Sequence, residues 1–450
     1  MNTSEIIINK NAVIEPPKAK VVPKQATPDK ILGSNLKPLD RLTSYQDPIV
    51  FSSNNEIRLL FAEIAAQESV SDIIIIPGLP VMIKRKRRGL RAITYKPLQR
   101  NDCEFLVKSL TNNPSFLINL SNGETLSGLA KMLDGNIVSE ADYEAYANQV
   151  SNSERSRYRY EVTGCSSAVS EQSFCIILRP LPDEPLTYDK LGMSEEFVNH
   201  CIVKDGIVCI GAATGEGKST TLAAIIRYIM ENDTITKGII LTHEDPIEVN
   251  YDKVRSHHSV VIQSSIGIGQ NIKTFHDANR SAMRRSPDLV LVGELRDGDT
   301  IDAAIELSLT GHPVFATTHA NNVAAIFQRL ITRFPEEIQA QKAFDLIDTV
   351  RVLMSQKLIE GIDGKMFAVR EILRFTPALR EYLKKNATKP SDLYRKINLI
   401  MTNGYLGAQN FESQGQELLA VGKISLKSYH HLIETREDFD DKTVELLDSL

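Results

Sequence analysis

The sequence has few cysteines and no closely paired ones. Its five cysteines are odd in number and scattered, and no C-x-x-C pair occurs. Zinc or thiol redox chemistry is therefore not indicated, and a reduced, cytosolic setting is expected. The cysteines are Cys103, Cys165, Cys175, Cys201 and Cys209.

An excess of one charge and long apolar runs are also lacking. The net charge is only −5, which gives no electrostatic reason to expect direct nucleic-acid binding, because phosphate-backbone binders carry a clustered basic excess. No window reaches the roughly 18–20 apolar residues that span a bilayer, and the start, MNTSEIIINKNAVIEPPK, lacks the basic-then-apolar pattern of a signal peptide. We therefore expect a cytoplasmic protein, held peripherally at an inner membrane only through partner proteins.

What is present indicates a soluble chain of more than one domain. Hydrophobic residues make up 42% and charged residues 24% of the 450 positions, a balance typical of globular proteins. This length exceeds one ordinary core, so about two or three domains are expected. Residues 1–50 hold six prolines among lysines and polar residues, which predicts a flexible tail, with a docking segment for a partner as the alternative.

Residues 51–182 are predicted to form a smaller mixed α/β domain. The run EIRLLFAEIAAQ has helical spacing, and SDIIIIPGLPVMIKRK supplies β-rich runs around a Pro-Gly turn. The basic run Lys84–Arg88 favours a solvated hairpin, with contact to acidic machinery or anionic lipid as the alternative. A proline-marked linker follows, after which the sequence predicts a helix start at Ser194.

Residues 183–378 alternate strand-like and helix-like runs. The strand-like runs are GIVCI, KGIILT, DLVLVG and PVFATT, and the helical ones include KSTTLAAIIRYIMEN and DTIDAAIELSL. This alternation is typical of a parallel sheet covered by helices, so the predicted fold class is α/β. Strand signals then fade, and residues 379–450 are predicted to be helical.

A glycine-rich segment between a strand and a helix is typical of a phosphate-binding loop. Its backbone N–H groups can wrap an anion, while Lys218 can reach the β- and γ-phosphates and Ser219 can ligate magnesium. The strict pattern requires glycine where this chain has Ala212, which leaves the geometry at the start of the loop open. ATP and Mg²⁺ are the predicted cofactors. The predicted nucleotide-binding residues are Gly211, Ala212, Ala213, Thr214, Gly215, Glu216, Gly217, Lys218, Ser219 and Thr220.

Acidic residues follow two of the predicted strands. The run HEDPIE places Glu244 and Glu248 at the strand edge where open α/β sheets bind ligands, with polar loop decoration as the alternative. The run DLVLVGE ends in Glu294, whose carboxylate can orient and polarise the attacking water beside a magnesium ion held by Ser219 and Glu294. An ordinary strand with a capping acid is the alternative there. Gly293 occupies the place where many P-loop enzymes carry a magnesium-ordering aspartate.

Two histidines bracket the last strand-like run, TGHPVFATTHA. His319, at its carboxyl end, is a candidate for sensing or holding the γ-phosphate. His312, at its start, is interpreted as structural. A satisfied polar residue is the alternative for His319, and a functional role is the alternative for His312.

The phosphate loop, the two acidic runs and the histidine-bracketed run are four motifs. In this order they resemble those of the secretion-motor ATPase family, which includes PilT-like retraction ATPases of type IV pili and the motors of type II and type IV secretion. That family carries a Walker A loop, an E-D-P-I-E box, a V-G-E-x-R-D box and a T-G-H…T-x-H box. SDIIIIPGLPVMIK is similar to its PAS-like amino-terminal module, and EILRFTPALREYL to the segment before its helical end. The resemblance covers roughly residues 56–430 and implies a RecA-like P-loop motor domain.

Three further runs resemble the DotB/TraJ-like branch more than the pilus-retraction branch. They are RYRYEVTGC, AMRRSPDLVLVGE and HANNVAAIFQRL. This branch drives type IVB secretion and conjugative plasmid transfer, so the resemblance implies an ATPase for one of those processes. Pilus retraction is the alternative.

The resemblance also implies an assembly. In this family a homohexamer holds ATP between the amino-terminal module of one subunit and the RecA-like domain of another. Arg159 matches the arginine run of that module and Arg179 matches its later arginine, which implies catalytic arginines, with solvated strand arginines as the alternative. The implied partners are inner-membrane components of a secretion, conjugation or pilus machine.

Two other classes of function share these residues. A RecA-like nucleic-acid translocase would use Lys218 and Glu294 in the same way, but would usually show basic channel loops. A nucleotide-gated scaffold that does not hydrolyse ATP is suggested by Ala212 and Gly293. DNA-stimulated hydrolysis distinguishes the first, and a phosphate-release assay the second.

Overall fold

The computed structural model describes residues 60–61, 64, 70–85, 89–133, 136–139, 156–167, 170–182, 184–267, 270–386 and 389–433. The tail predicted for residues 1–50 lies outside these ranges, as do the tip of the basic run, residues 86–88, and the last residues, 434–450. The chain divides into two compact units, Met1–Leu181 and Pro182–Leu450.

The first unit contains an antiparallel sheet in the strand order β3-β2-β1-β7-β6-β4-β5. Its strands are β1 (Val70–Ile75), β2 (Pro80–Arg85), β3 (Gly89–Pro97), β4 (Leu126–Leu133), β5 (Asn136–Ser139), β6 (Ser156–Ser167) and β7 (Ser170–Leu181). Its described helices of more than one turn are α1 (Arg100–Thr111) and α2 (Phe116–Ser121).

One face of this sheet packs against helix α1. Cys103, Leu106, Val107 and Leu110 recur at helical spacing, so they form one apolar stripe, and all four are buried. Alternate residues of β6 face the same core, among them Tyr158. Because β-strand side chains alternate between faces, the other residues of β6 point to the opposite side.

The second unit is built on a sheet in the order β10-β9-β11-β12-β8-β13-β14. Neighbouring strands pair in parallel, except that β13 and β14 form an antiparallel pair. The strands are β8 (Gly206–Gly211), β9 (Ile239–Glu244), β10 (Val260–Ser265), β11 (Leu289–Val292), β12 (Pro313–Thr318), β13 (Val350–Glu360) and β14 (Met366–Arg374).

Helices alternate with the strands of this sheet, and after β14 the described residues contain only helices and the segments that connect them. Their bounds are α3 (Glu195–Cys201), α4 (Lys218–Glu231), α5 (Phe275–Ala282), α6 (Gly298–Leu309), α7 (Val323–Thr332), α8 (Glu336–Thr349), α9 (Pro377–Asn386), α10 (Pro390–Asn403), α11 (Phe411–Ala420) and α12 (Leu426–Ile433). Ser194 caps α3 as predicted, because its hydroxyl accepts a hydrogen bond from the Phe197 N–H at 3.1 Å. Within the described ranges, no helix is long and apolar enough to cross a bilayer.

The central strands of the second sheet are buried on both faces. Every residue of β8, β11 and β12 is buried, as expected for parallel strands enclosed between helical layers. The predicted α/β class, with a smaller domain before the parallel sheet and helices after it, is confirmed. The sheet also contains β10, β13 and β14, which were not among the four strand runs singled out from the sequence.

Candidate functional site

Four sequence motifs meet at one edge of the parallel sheet. Strands β8, β9, β11 and β12 run in the same direction, so their carboxyl ends lie at the same edge. Gly211, the last residue of β8, is opposite Thr318, the last residue of β12. Val292, which ends β11, is opposite His243 of β9. The residues that follow these strand ends form the candidate site.

The phosphate loop runs from β8 into helix α4. Gly215 and Gly217 have φ angles of 82° and 81°, a left-handed conformation that favours glycine. Gly217 is the N-cap residue of α4, and it has no side chain that could accept hydrogen bonds from the first turn, which contains Lys218, Ser219 and Thr220. Uncapped N–H groups at a helix start bind anions, so the loop fits a phosphate group.

The alanine at position 212 does not disturb the start of the loop. Ala212 is buried, and its N–H donates to the Thr318 carbonyl at 3.3 Å. Glycine is needed one residue earlier, since a Cβ at Gly211 would lie 2.4 Å from Ile326 Cγ1 on α7. The glycine at position 211 is thus explained by helix α7, which packs against the end of β8.

Lys218 lies over the phosphate loop and near the acidic residues. Its ammonium donates to the carbonyls of Ala212 at 2.8 Å and Ala213 at 3.1 Å, and lies 3.4 Å from His319 Nδ1. Burial lowers the pKa of Lys218, while the carboxylates, led by Glu294, act in the opposite direction. Glu248 and Glu216 are the other two acids that contribute this opposing effect.

Glu294 is held between a histidine and an arginine. One carboxylate oxygen lies 3.3 Å from His319 Nε2, and the other accepts a hydrogen bond from Arg296 Nε at 2.7 Å. Arg296 also contacts Asp245 at 3.3 Å. Arg296 was not predicted as a site residue, although its position two residues after an acid is visible in the sequence. Lys218, His319 and Glu294 thus form a continuous row of contacts at the end of the loop.

Glu244 is the last residue of the adjacent strand β9. Its carboxylate accepts hydrogen bonds from Thr242 Oγ1 at 2.7 Å and from Gln263 Nε2 at 3.2 Å. Burial raises the pKa of Glu244, and the neighbouring Glu248 charge adds to the increase. Gln263 lies on the edge strand β10, and no motif in the sequence pointed to it.

Oxygen ligands suited to magnesium lie beside the loop. Ser219 and Glu244 line one small cavity together with Gly293 and Thr317. No group of three or more His, Cys, Asp or Glu residues that would hold a metal by itself occurs in the described part of the chain. Magnesium in phosphate-transfer sites is typically held by one or two protein oxygens and by the phosphates, so the residues present fit such an ion.

Gly293 is glycine because a neighbouring strand comes close. A Cβ at this position would lie 2.9 Å from the His243 carbonyl oxygen, and the Gly293 N–H donates to the same oxygen at 2.8 Å. An aspartate cannot occupy this position without moving β9. Nearby carboxylates are that of Glu244, which lines the cavity with Ser219, and that of Glu294, the residue after Gly293.

Of the other predicted residues, two belong to the first unit and one to the amino-terminal end of β12. Arg159 on β6 and Arg179 on β7 belong to the first unit, where they are directly opposite each other. Arg179 donates twice to one carboxylate oxygen of Asp72, at 2.9 and 3.0 Å. His312 lies at the other end of β12 from His319, with Nδ1 3.1 Å from Thr310 Oγ1. Its ring also lies 3.3 Å from the Leu307 carbonyl of α6, and its structural role stays a prediction.

Comparisons with known proteins agree with these motifs. The family model described as "Type II/IV secretion system protein" matches residues 156–397. The type IV pilus retraction ATPase PilT of Pseudomonas aeruginosa is 30% identical over 83% of this chain and 97% of its own length.

Two solved structures are also similar. The Yersinia pseudotuberculosis ATPase DotB has a TM-score of 0.77 and 32% identity, covering 88% of this chain and 97% of that one. The pilus retraction motor PilT, solved with bound ADP, has a TM-score of 0.64 and 26% identity, covering 86% and 98%. Because the family match spans more than half of the residues, this chain belongs to the Type II/IV secretion system protein family.

Proposed function

We propose that this protein is an ATP-hydrolysing motor subunit that energises type IVB secretion or conjugative plasmid transfer. The observation that carries the proposal is the row of contacts from Lys218 through His319 to Glu294, beside a helix start whose N-cap residue is glycine. Lys218 provides a cation for phosphate and Glu294 a carboxylate base, and the His319 ring contacts both of them. Phosphoryl transfer to water requires such positioning and charge stabilisation.

Each residue has a distinct role in this proposal. The loop N–H groups and Lys218 bind the phosphates, and Ser219 with Glu244 and Glu294 provides oxygens for magnesium. The bound ion would neutralise charge that develops on the phosphates. Glu294 orients and deprotonates the attacking water. His319 holds Glu294 in place and reaches toward the γ-phosphate.

We further propose that the site is completed in a homohexamer. Arg159 and Arg179 would come from the amino-terminal domain of a neighbouring subunit. We assign residues 51–182 to that domain, 183–378 to the RecA-like ATPase domain and 379–450 to the helical portion. The family resemblance and the two-unit division at Leu181 support this assignment.

The proposed assignment to the secretion and conjugation branch is supported by structural similarity. The TM-score is higher with the DotB chain than with the PilT motor, which supports secretion or conjugation over pilus retraction. Pilus retraction is the second candidate, because PilT is similar along nearly its whole length. The protein would work in the cytoplasm, docked on inner-membrane components of its machine. Conjugation or secretion genes beside its gene would support the first role, and pilin genes the second.

The proposed phosphate loop is tested by replacing Lys218 with alanine. We expect Lys218→Ala to weaken binding of a fluorescent ATP analogue about 10- to 100-fold, because a charge-assisted contact to phosphate is lost. Lys204→Ala is the matched control, since Lys204 is an exposed lysine of the same unit. Equal affinity of the Lys218 variant and the control would contradict nucleotide binding by this loop.

The proposed assembly is tested by light scattering. With ATP analogue and magnesium present, we expect a particle of six times the 50.2 kDa chain mass. The physical reason is that Arg159 and Arg179, the arginines that match the family, belong to the first unit and Lys218 to the second, and we propose that a neighbouring subunit supplies these arginines to the γ-phosphate. A monomer that hydrolyses ATP at a specific rate independent of protein concentration would contradict the hexamer.

A separate test concerns the alternative class of function. Hydrolysis that is stimulated by DNA would favour a nucleic-acid translocase over a secretion motor.

A further inference from the structure

Gln356 lies on β13, far from the phosphate loop in sequence but in direct contact with it. Its side chain is buried, with the residue only 2% exposed. Its Nε2 donates to the Glu216 carbonyl at 2.6 Å. Its Oε1 accepts two hydrogen bonds, from Thr221 Oγ1 at 2.8 Å and from Arg370 Nε at 2.9 Å. One amide group therefore connects the loop, the helix that follows it and strand β14.

The contact reaches the two residues that immediately precede Lys218. A Cβ at Gly217 would lie 3.0 Å from Gln356 Nε2, so the amide packs directly against the Gly217 backbone. The neighbouring strand residue Leu358 donates its N–H to the Glu216 carboxylate. Strand β13 thus holds both the main chain and the side chain of the loop just before helix α4 begins.

Arg370 fixes which way the amide faces. A guanidinium group only donates hydrogen bonds, so the amide oxygen must point to Arg370 and the amide nitrogen must point to Glu216. Arg370 is itself 2% exposed, and it also donates to the Leu191 carbonyl at 3.1 Å. Burial lowers the pKa of Arg370 to about 10, which leaves the group charged at neutral pH.

We propose that Gln356 is a positioning residue that holds the phosphate loop in its binding conformation, with Arg370 orienting the Gln356 amide. This inference rests on the proposed function, because it assigns to β13 the task of presenting the loop N–H groups to a nucleoside phosphate. A loop that is already ordered loses less conformational entropy when ligand binds. Gln356 would therefore contribute to affinity without touching the nucleotide.

Two substitutions separate this contact from general packing. Gln356→Glu keeps an oxygen for Thr221 and Arg370 and gives the buried Arg370 a carboxylate partner, but it loses the donor to Glu216. Gln356→Met also loses that donor, and it adds no charge. We expect both variants to bind a fluorescent ADP analogue about tenfold more weakly. The KM for ATP should rise to a similar extent with kcat little changed, as for a loss of uniform binding.

The matched control removes the same type of bond elsewhere in the unit. Gln339 on α8 donates through Nε2 to the Phe334 carbonyl at 2.9 Å, so Gln339→Glu loses an equivalent side-chain to backbone bond. We expect Gln339→Glu to bind ADP like the unmodified protein. The unfolding temperature of Gln356→Glu should match or exceed that of this control, which shows that its weaker binding does not come from unfolding.

A second measurement is independent of nucleotide. Hydrogen exchange of the amides of residues 215–219, without ligand, should speed up several-fold in Gln356→Glu and stay unchanged in Gln339→Glu. Unchanged exchange and unchanged ADP affinity in a folded Gln356→Glu protein would overturn the proposal, even if Gln356→Met fails to fold. A chain that hydrolyses no ATP would overturn the proposed function instead, while the exchange measurement still decides the role of Gln356.

Discussion

Replacement of Glu294 by glutamine should leave ATP bound but slow its hydrolysis about 10²–10⁴-fold, the factor typical of lost general acid–base catalysis. Glutamine has nearly the same shape and can still contact His319 and Arg296, which hold the two carboxylate oxygens at 3.3 and 2.7 Å. It cannot take a proton from water. The change therefore removes the base and leaves the phosphate loop as it is.

Phosphate release measures the rate of hydrolysis, and binding of a non-hydrolysable ATP analogue measures the affinity. Glu306→Gln is the matched control, because Glu306 is an exposed acid on α6 of the same unit. We expect the control to hydrolyse ATP at the normal rate. Turnover of the Glu294 variant close to that of the control would remove Glu294 from the catalytic role, whatever its affinity for ATP.

The second large effect is expected at Arg159. Arg159→Ala should reduce hydrolysis by up to about 10³–10⁵-fold, the contribution of a supplied arginine in P-loop systems where it has been measured separately. Arg159 lies on β6 of the first unit, whereas Lys218 and Glu294 lie in the second. Arg179, directly opposite Arg159, is already bonded to Asp72, so Arg159 is the stronger candidate of the two. Because the family resemblance implies ATP held between subunits, we expect Arg159 to act on a neighbouring subunit.

Mixing variants tests action between subunits. Arg159→Ala and Glu294→Gln should each be nearly inactive alone. In mixed rings, some interfaces join an intact Glu294 site to an intact Arg159 of the neighbour, so partial activity should return.

The control for this mixing experiment replaces the Glu294→Gln partner with the double variant Arg159→Ala, Glu294→Gln. No intact Arg159 is then present, so no activity should return. If the original mixture stays inactive while both variants demonstrably co-assemble, the arginine acts within its own subunit or the ring requires concerted firing. The simple model of action in trans would then be lost.

The location of the candidate site followed from local sequence patterns. Apolar runs such as DLVLVGE end in a polar residue, and strand–helix alternation predicts a parallel sheet. Parallel strands place their carboxyl ends at one edge, so Lys218, Glu244, Glu294 and His319 could be expected near one another without knowledge of the strand order. The contacts between Lys218, His319 and Glu294 agree with that expectation.

The edge of the second sheet was less predictable. Strand β10 contains Gln263 and exposed apolar residues such as Val260 and Ile262, so it lacks the continuous buried run that marks a central strand. Its pairing with β9 brings Gln263 to Glu244. An edge strand has one partner and one open side, which weakens the hydrophobic signal by which strands are found in sequence.

The sequence by itself determined the fold class, the order of the four motifs and the residue types that can bind and hydrolyse a nucleotide. Only the tertiary structure showed why Gly211 and Gly293 must be glycine. It also showed that Arg296 holds the Glu294 oxygen that does not face His319. The contact between Gln356 and a loop 140 residues earlier in the chain was likewise visible only there. The physical reason is the range of the interactions. Strand and helix periodicity arise between near neighbours, whereas close backbone approaches and buried side-chain hydrogen bonds depend on the register in which distant strands pair.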